Sequence, residues 1–191
     1  GWNMVLFWQA IWWAKKYNIS LILRAESNLK HLQSWFTKWI KKILFPILFK
    51  QFKAFMSIGS HNSELYLHYG VKKTAIYDAP YCVDNDFFAE GASKSAFKAR
   101  QLRLSLGISE SDTVFLFMAK FVDRKRPLDL IAAAVKNREC SNIHVILVGG
   151  GELMEACQSA ITTNQLDNVH LVGFINQTEL PMYYASADVF V

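Results

Sequence analysis

The chain has 191 residues, of which 52% are hydrophobic, 14% aromatic and 19% charged. That much apolar side chain offsets chain entropy, so disordered, collagen-like, mucin-like and disulfide-scaffold classes are excluded, and one large or two small domains are expected. The net charge of +5 is concentrated: no acidic residue falls between Glu26 and Glu64, whereas Lys30, Lys38, Lys41, Lys42, Lys50 and Lys53 do, and the rest is nearly neutral. A whole-protein nucleic-acid binder is therefore disfavoured. The scattered cysteines Cys82, Cys140 and Cys157 form no CxxC pair and read as reduced thiols of a cytosolic protein. No apolar run reaches the roughly 20 residues of a membrane span.

In chain order, Met4 to Tyr17 reads as a mostly apolar helix with a basic last turn, Lys15-Lys16. Ile19–Leu23 reads as a buried strand, followed by the loop Arg24–Asn28. Leu32, Trp35, Phe36, Trp39, Ile40, Ile43, Leu44 and Ile47 recur at helical spacing with Lys38, Lys41 and Lys42 on the other face, so an amphipathic helix is expected, kinked or ended near Pro46. Ala54–Ile58 is a short strand. Ser60 is placed to N-cap a helix from His61 to Tyr69 that Gly70 stops, and Thr74–Tyr77 is a further strand. The turn-rich segment Ala79–Asp86 marks a boundary, giving domains at 1–84 and 85–191.

After the boundary a polar helix is expected over Ser93–Leu106, closed by Gly107. Strand Val114–Met118, basic loop Lys120–Arg126, helix Pro127–Asn137, strand Ile143–Val148, glycines 149–151, helix Glu152–Thr162 and strand Val169–Val172 then alternate. Thr178 is placed to cap a helix to about Ala185, and Asp188–Val191 reads as a buried strand. This alternation implies right-handed βαβ units and a parallel sheet. The end in a bare strand, and a first residue other than Met, read as a piece of a longer protein.

Several segments carry chemistry. Lys120, Arg124, Lys125 and Arg126 lie in the loop after a central strand, at the sheet edge where open α/β proteins bind ligands. Such a cluster suits an anionic ligand, a diphosphate above all; a solvated charge cluster is the alternative. Gly149-Gly150-Gly151 joins a strand to a helix, which suits either phosphate approach or a tight turn. The GxGxxG dinucleotide fingerprint fails because Met154 stands at its third glycine, and Asp167 precedes a strand rather than ending one. Phe174 and Ile175 leave another strand at the same edge, where the backbone amides of Val172–Ile175 can face a flat base; a simple strand–loop exit is the alternative. Arg24 and Glu26 read as an anion contact and a base facing a cleft, or as a surface ion pair. The basic aromatic stretch Trp35–Lys53 is either a core-packed helix or one lying on an anionic membrane surface. His31, His61, His68, His144 and His170 form no metal-ligand pattern.

Five ordered segments together resemble the family 4 glycosyltransferases. Phe117-Met118-Ala119-Lys120-Phe121-Val122-Asp123-Arg124-Lys125-Arg126-Pro127 resembles the family's basic loop, and Val145–Leu153, with its three glycines, its strand–glycine–helix segment. Val169–Ile175, continued by Glu179–Val191, is similar to the family's strand, short helix and ADVFV strand. Ser60–Glu64 resembles a helix start near the end of the N-terminal domain, and Pro80-Tyr81-Cys82-Val83-Asp84 with Phe88 the inter-domain hinge. The resemblance is strongest over residues 113–191 and rests on pattern over 1–60.

The resemblance implies an α/β GT-B fold of two Rossmann-like domains, both incomplete here: the C-terminal part of the acceptor-side domain in 1–84 and the N-terminal part of the donor domain in 85–191. It implies retaining transfer of a sugar from a nucleotide-sugar donor to a glycan or lipid-linked acceptor, as in polysaccharide biosynthesis. No metal or other cofactor and no nucleic-acid partner is expected. Lys120 and Lys125 would act at the departing diphosphate, with Lys120 standing where the family usually has Arg. Arg124, Gly149, Gly151, Phe174 and Ile175 would complete donor binding. Arg24 and Glu26 would face the acceptor, Arg24 near where many members carry histidine. The family's glutamate pair would follow Val191 and its N-terminal glycine-rich loop would precede Gly1, so residues 1–191 alone are expected to be inactive. A GT-B sugar-nucleotide epimerase and a basic peripheral membrane-binding module are the alternatives. The expected location is cytoplasmic, peripheral at the inner face of the membrane.

Overall fold

The computed structural model describes residues 4–29 and 35–191, so Gly1, Lys30, His31 and Leu32 lie outside the described residues. The chain forms two compact units, Gly1–Val83 and Asp84–Val191.

The first unit holds a parallel sheet in the order β1 (Ile22–Arg24), β2 (Ala54–Ser57), β3 (Ile76–Asp78). Helix α1 (Val5–Lys16) precedes β1, α2 (Trp35–Phe49) joins β1 to β2, and α3 (Ser60–His68) follows β2. Strand β1 starts later than the apolar run 19–23 predicts. Asn18 adopts a left-handed conformation (φ 52°) after α1, and the Ile19 amide donates to the Ala14 carbonyl at 2.8 Å, so Ile19 closes the helix instead of pairing in the sheet.

Helix α2 runs through Pro46 to Phe49 rather than ending at the proline. A mid-helix proline costs about 3 kcal/mol. Burial of Phe45, Leu48 and Phe49 against Phe55, Leu65 and Tyr66 outweighs it, at about 1.5–3 kcal/mol per large apolar side chain. Ser60 is the first helical residue of α3 and not its cap; Gly59 holds the cap position. The cap chemistry comes from Ser57, whose hydroxyl donates to the Gly59 carbonyl (2.8 Å) and accepts from Ser63 Oγ (2.7 Å). The strand expected at 74–77 begins as a 3-10 turn, Lys73–Ala75, before β3.

The second unit is a four-stranded parallel sheet in the order β6 (Val169–Gly173), β5 (Ile143–Val148), β4 (Thr113–Met118), β7 (Val189–Phe190). Its helices are α4 (Asn85–Lys94), α5 (Ala96–Ser105), α6 (Pro127–Lys136), α7 (Met154–Thr163) and α8 (Leu180–Ala185). Alternate residues of β5 serve two cores. Val145 and Leu147 pack with Ile131, Cys157 and Ile161 from α6 and α7, while Ile146 and Val148 pack with Ile108, Leu116 and Tyr183 on the α5 and α8 side.

Helix α4 is absent from the sequence reading, whose turn-rich boundary ends at Asp86 and whose next helix begins at Ser93; the helix expected over 93–106 is α5, which starts after the C-cap of α4 at Ser95. Asp84 caps α4 by accepting from the Phe87 amide at 2.9 Å. Gly91 weakens its helical signal for a packing reason: a Cβ there would lie 2.8 Å from the Pro181 ring, so the glycine lets α4 approach α8. Thr178 makes no cap hydrogen bond; it lies in a 3-10 turn, Gln177–Glu179, that leads into α8. The strand expected to be buried at 188–191 is exposed, because β7 is the edge strand, paired to β4.

Candidate functional site

Parallel register brings the ends of β4, β5 and β6 to one edge of the second unit, and the three loops leaving them enclose a cavity of about 320 Å³. Met118 at the end of β4 lines it with Ala119 and Lys120, Val148 at the end of β5 with Gly149 and Gly150, and Phe174 and Ile175 line it after β6. Four of the predicted donor-binding residues, Lys120, Gly149, Phe174 and Ile175, therefore meet in one place. Phe174 is 81% exposed, an unusual state for a large aromatic ring beside a cavity.

The other three predicted donor residues do not line this cavity. Arg124 and Lys125 are exposed on the 3-10 turn Asp123–Lys125. The basic cluster also divides electrostatically. Arg126, held left-handed at φ 56°, donates through Nε to Asp129 at 2.7 Å, and that carboxylate raises its pKa. Among the described residues Lys120, Arg124 and Lys125 have no ion-pair partner, so their charge is available to an anion.

The glycines have separate explanations. At Gly149 (φ 139°) a Cβ would sit 1.9 Å from the Ala119 carbonyl oxygen, and at Gly151 (φ 153°) 2.6 Å from that of Phe121. Both let the loop after β4 lie against the loop after β5, where Phe121 donates to the Gly150 carbonyl (2.9 Å) and accepts from the Leu153 amide (3.0 Å). Gly150 differs: a Cβ there would meet nothing within 4 Å, so packing does not demand glycine at this position on the cavity wall.

In the first unit Arg24 and Glu26 do not pair with each other. Both engage Tyr81 instead. The Arg24 guanidinium lies 4.7 Å from the ring centroid and Nη2 donates to the Ala79 carbonyl at 3.3 Å, while the Tyr81 hydroxyl donates to Glu26 Oε1. The Glu26 carboxylate raises the phenol's pKa. The segment after β3 interposes between the two side chains, which is why the expected surface ion pair gives way. Buried Asn62 on α3, with no recognisable sequence signal, fixes this loop: its Nδ2 donates to the Ser27 carbonyl at 2.8 Å and its Oδ1 accepts from the Ile58 amide at 3.3 Å.

At the opposite edge of the second sheet, His144 Nδ1 lies 3.3 Å from His170 Nε2, with parallel rings, and His144 Nε2 lies 3.4 Å from Asp112 Oδ2. Arg103 is a second residue that the sequence reading missed. It donates to the Ser109 carbonyl (2.9 Å), the Asp112 carbonyl and Asp188 Oδ2 (3.3 Å), tying α5 to the starts of β4 and β7. Only its charge is visible in sequence; the partners lie in two separate segments, Ser109–Asp112 and Asp188. Among the described residues no three His, Cys, Asp or Glu side chains are grouped to hold a metal ion, and no helix is long and apolar enough to cross a membrane.

Residues 99–191 match the family described as glycosyl transferases group 1. No curated protein matches the chain by sequence. The solved structures it is similar to are glycosyltransferases of GT-B fold. HepE of Anabaena, in complex with UDP and glucose, is 14% identical with a TM-score of 0.65, over 95% of this chain and 48% of HepE. A glycosyltransferase from Rickettsia africae is 14% identical, TM-score 0.62, over 95% and 53%. WaaG, a glycosyltransferase involved in lipopolysaccharide biosynthesis, is 16% identical, TM-score 0.58, over 88% and 49%. At these identities the likeness is one of fold, and the chain spans about half the length of each.

Proposed function

We propose that the chain is part of a glycosyltransferase that takes a sugar from a nucleotide-diphosphate donor and gives it, with retained configuration, to a glycan or lipid-linked acceptor. The observation that carries this reading is the cavity at the ends of β4, β5 and β6, walled by Lys120, Gly150 and Phe174, within a group 1 glycosyltransferase segment. HepE, a structural neighbour, is described with UDP and with UDP-glucose, which supports a nucleotide diphosphate as the ligand class.

Each wall of the cavity has a task in this reading. Phe174 offers an exposed ring face to the base. Gly150 leaves room for phosphate oxygens to approach the backbone. Lys120 stabilises the charge that develops on the leaving diphosphate as the sugar–phosphate bond breaks, an interaction stronger in the transition state than in the bound donor. Lys125 and Arg124 add positive potential from the adjoining turn, and Lys125 contacts the diphosphate once the donor is bound. Arg24 and Glu26, positioned around Tyr81, serve the acceptor side. Three unbridged cysteines fit a cytoplasmic setting.

The experiment is product analysis with the full-length protein, nucleotide-sugar donors and candidate acceptors. Transfer that releases a nucleoside diphosphate and leaves an anomerically retained product supports the proposal. Interconversion of the free nucleotide sugar, with no acceptor consumed, identifies an epimerase instead.

A further inference from the structure

Parallel pairing of β1, β2 and β3 brings the segments that follow β1 and β3 to one edge of the first sheet, with β2 between them. The segment after β3 crosses the end of β2, where the Ala79 amide donates to the Ser57 carbonyl at 2.7 Å, and so carries Tyr81 to the loop after β1. There one ring engages two opposite charges. The Arg24 guanidinium lies 4.7 Å from its centroid, and the phenol donates to Glu26 Oε1. That carboxylate raises the phenol's pKa and keeps it a donor. Buried Asn62 fixes the loop backbone at Ser27, so the side chains stand on a settled frame.

Much of the hydrogen-bonding capacity here is unspent. A guanidinium carries several N–H donors, and Arg24 commits only Nη2, to the Ala79 carbonyl at 3.3 Å. Glu26 Oε2 makes no hydrogen bond among the described residues, and neither side chain joins an ion pair there. Tyr81 is 60% exposed, so ring surface is open beside both charges. The two charges cancel. A phosphate or carboxylate drawn to Arg24 meets the repulsion of Glu26, and an ammonium drawn to Glu26 meets that of Arg24. A neutral polyol suits both at once. One hydroxyl oxygen accepts from the guanidinium while its neighbour donates to Glu26 Oε2, and both bonds are charge-assisted. The Tyr81 ring supplies an apolar surface for the C–H face of a sugar ring.

We propose that Arg24, Tyr81 and Glu26 form a binding site for a neutral pyranose with adjacent free hydroxyls, and that this is the sugar unit the acceptor presents. Tyr81 is both the platform under the sugar and, through its hydroxyl, the residue that aims Glu26. The assignment rests on the acceptor-side reading of this loop and narrows it, since an acidic sugar or a sugar phosphate does not suit the paired charges. It uses no residue of the cavity at the ends of β4, β5 and β6, so the two sites are tested separately.

The test is saturation-transfer NMR of the full-length protein with small sugars, and calorimetric titration with UDP alongside. The neutral probes are the methyl glycosides of glucose, galactose, mannose and N-acetylglucosamine, and the acidic probe is methyl glucuronide. At least one neutral glycoside is expected to bind, and to bind better than the glucuronide. Glu26→Gln keeps the size of the side chain and removes its charge, and should weaken that glycoside about tenfold or more, as loss of a charge-assisted hydrogen bond does. Tyr81→Phe keeps the ring for Arg24 and the sugar, and should weaken it about fivefold because Glu26 is no longer aimed. All three side chains are exposed, so thermal unfolding should show both variants folded, with UDP affinity unchanged. Absence of binding by every neutral glycoside overturns the proposal, as does binding that both replacements leave unchanged. Preference for the glucuronide overturns the neutral assignment and gives Arg24 to an anion. UDP binding without glycoside binding refutes this site and leaves the donor reading standing. Glycoside binding that depends on Glu26, without UDP binding, supports this sugar site and refutes the donor reading.

Discussion

Two adjacent glycines on the cavity at the ends of β4, β5 and β6 should respond oppositely to the same methyl group. In Gly149→Ala the new Cβ meets the Ala119 carbonyl oxygen at 1.9 Å, more than an ångström inside ordinary contact, and the backbone at φ 139° is one that alanine adopts with strain. That strain is worth about 1–3 kcal/mol. Moving the loop after β4 aside also endangers the hydrogen bonds from the Phe121 amide to Gly150 (2.9 Å) and from the Ala119 amide to Val148 (3.1 Å), each about 1 kcal/mol. The expected cost is about 3–5 kcal/mol, a large fraction of the stability of an ordinary domain. In Gly150→Ala the methyl group enters open space, so stability should change by less than about 1 kcal/mol. Urea unfolding of the full-length protein, followed through the transition of the second unit, measures both. Nucleoside-diphosphate affinity is then measured on the stable Gly150→Ala variant, which should lose binding while keeping its fold. Equal stability of the two variants would refute the account of the β4 and β5 loops.

Arg103→Ala should destabilise the second unit by about 1–3 kcal/mol, since it removes the donor to the Asp112 carbonyl and the ion pair to Asp188, while the Ser109 carbonyl keeps the Asp112 amide at 3.2 Å and Asp188 keeps the Val114 amide at 2.8 Å; chemical denaturation checks this. His170 gives a pH dependence of known sign. Burial and, secondly, the neighbouring His144 lower its pKa, so in the folded state it resists protonation. Above the unfolded-state pKa of about 6.5 both states are neutral and the effect is nil. As pH falls below that value the unfolded chain takes up the proton first, so stability declines down to the folded-state pKa. His170→Gln should flatten this acid-side decline in Tm, and an unaltered slope would assign it to other groups.

Legibility in the sequence followed the physics of each segment. Strand β5 is readable because it is buried on both faces and so carries the apolar run Val145–Val148 after His144, with glycines at its end. The cavity wall was readable for the same reason: Lys120, Gly149, Phe174 and Ile175 each follow a strand, and parallel strands deliver their next residues to one edge. Helix α4 was not readable, because Gly91 answers to Pro181, ninety residues away in the chain, and a lone sequence cannot reveal that neighbour. The start of β1 was hidden by the closure of α1 at Asn18 and Ile19, a choice between two uses of the Ile19 amide that hydrophobicity does not decide. Arg24 and Glu26 were visible as charges, but Tyr81, which each of them engages, comes from a segment more than fifty residues later.

The measurement closest to the central idea is calorimetric titration of the full-length protein and its Lys120→Ala variant with a nucleoside diphosphate and with the corresponding nucleoside. Lys120 is exposed at the cavity and has no carboxylate partner among the described residues, so its removal should leave the fold intact. A charge-assisted hydrogen bond contributes about 1.5–3 kcal/mol, so diphosphate affinity should fall about tenfold or more, with nucleoside affinity little changed. Equal diphosphate affinity in the two proteins would contradict the assignment of this cavity to the donor's diphosphate.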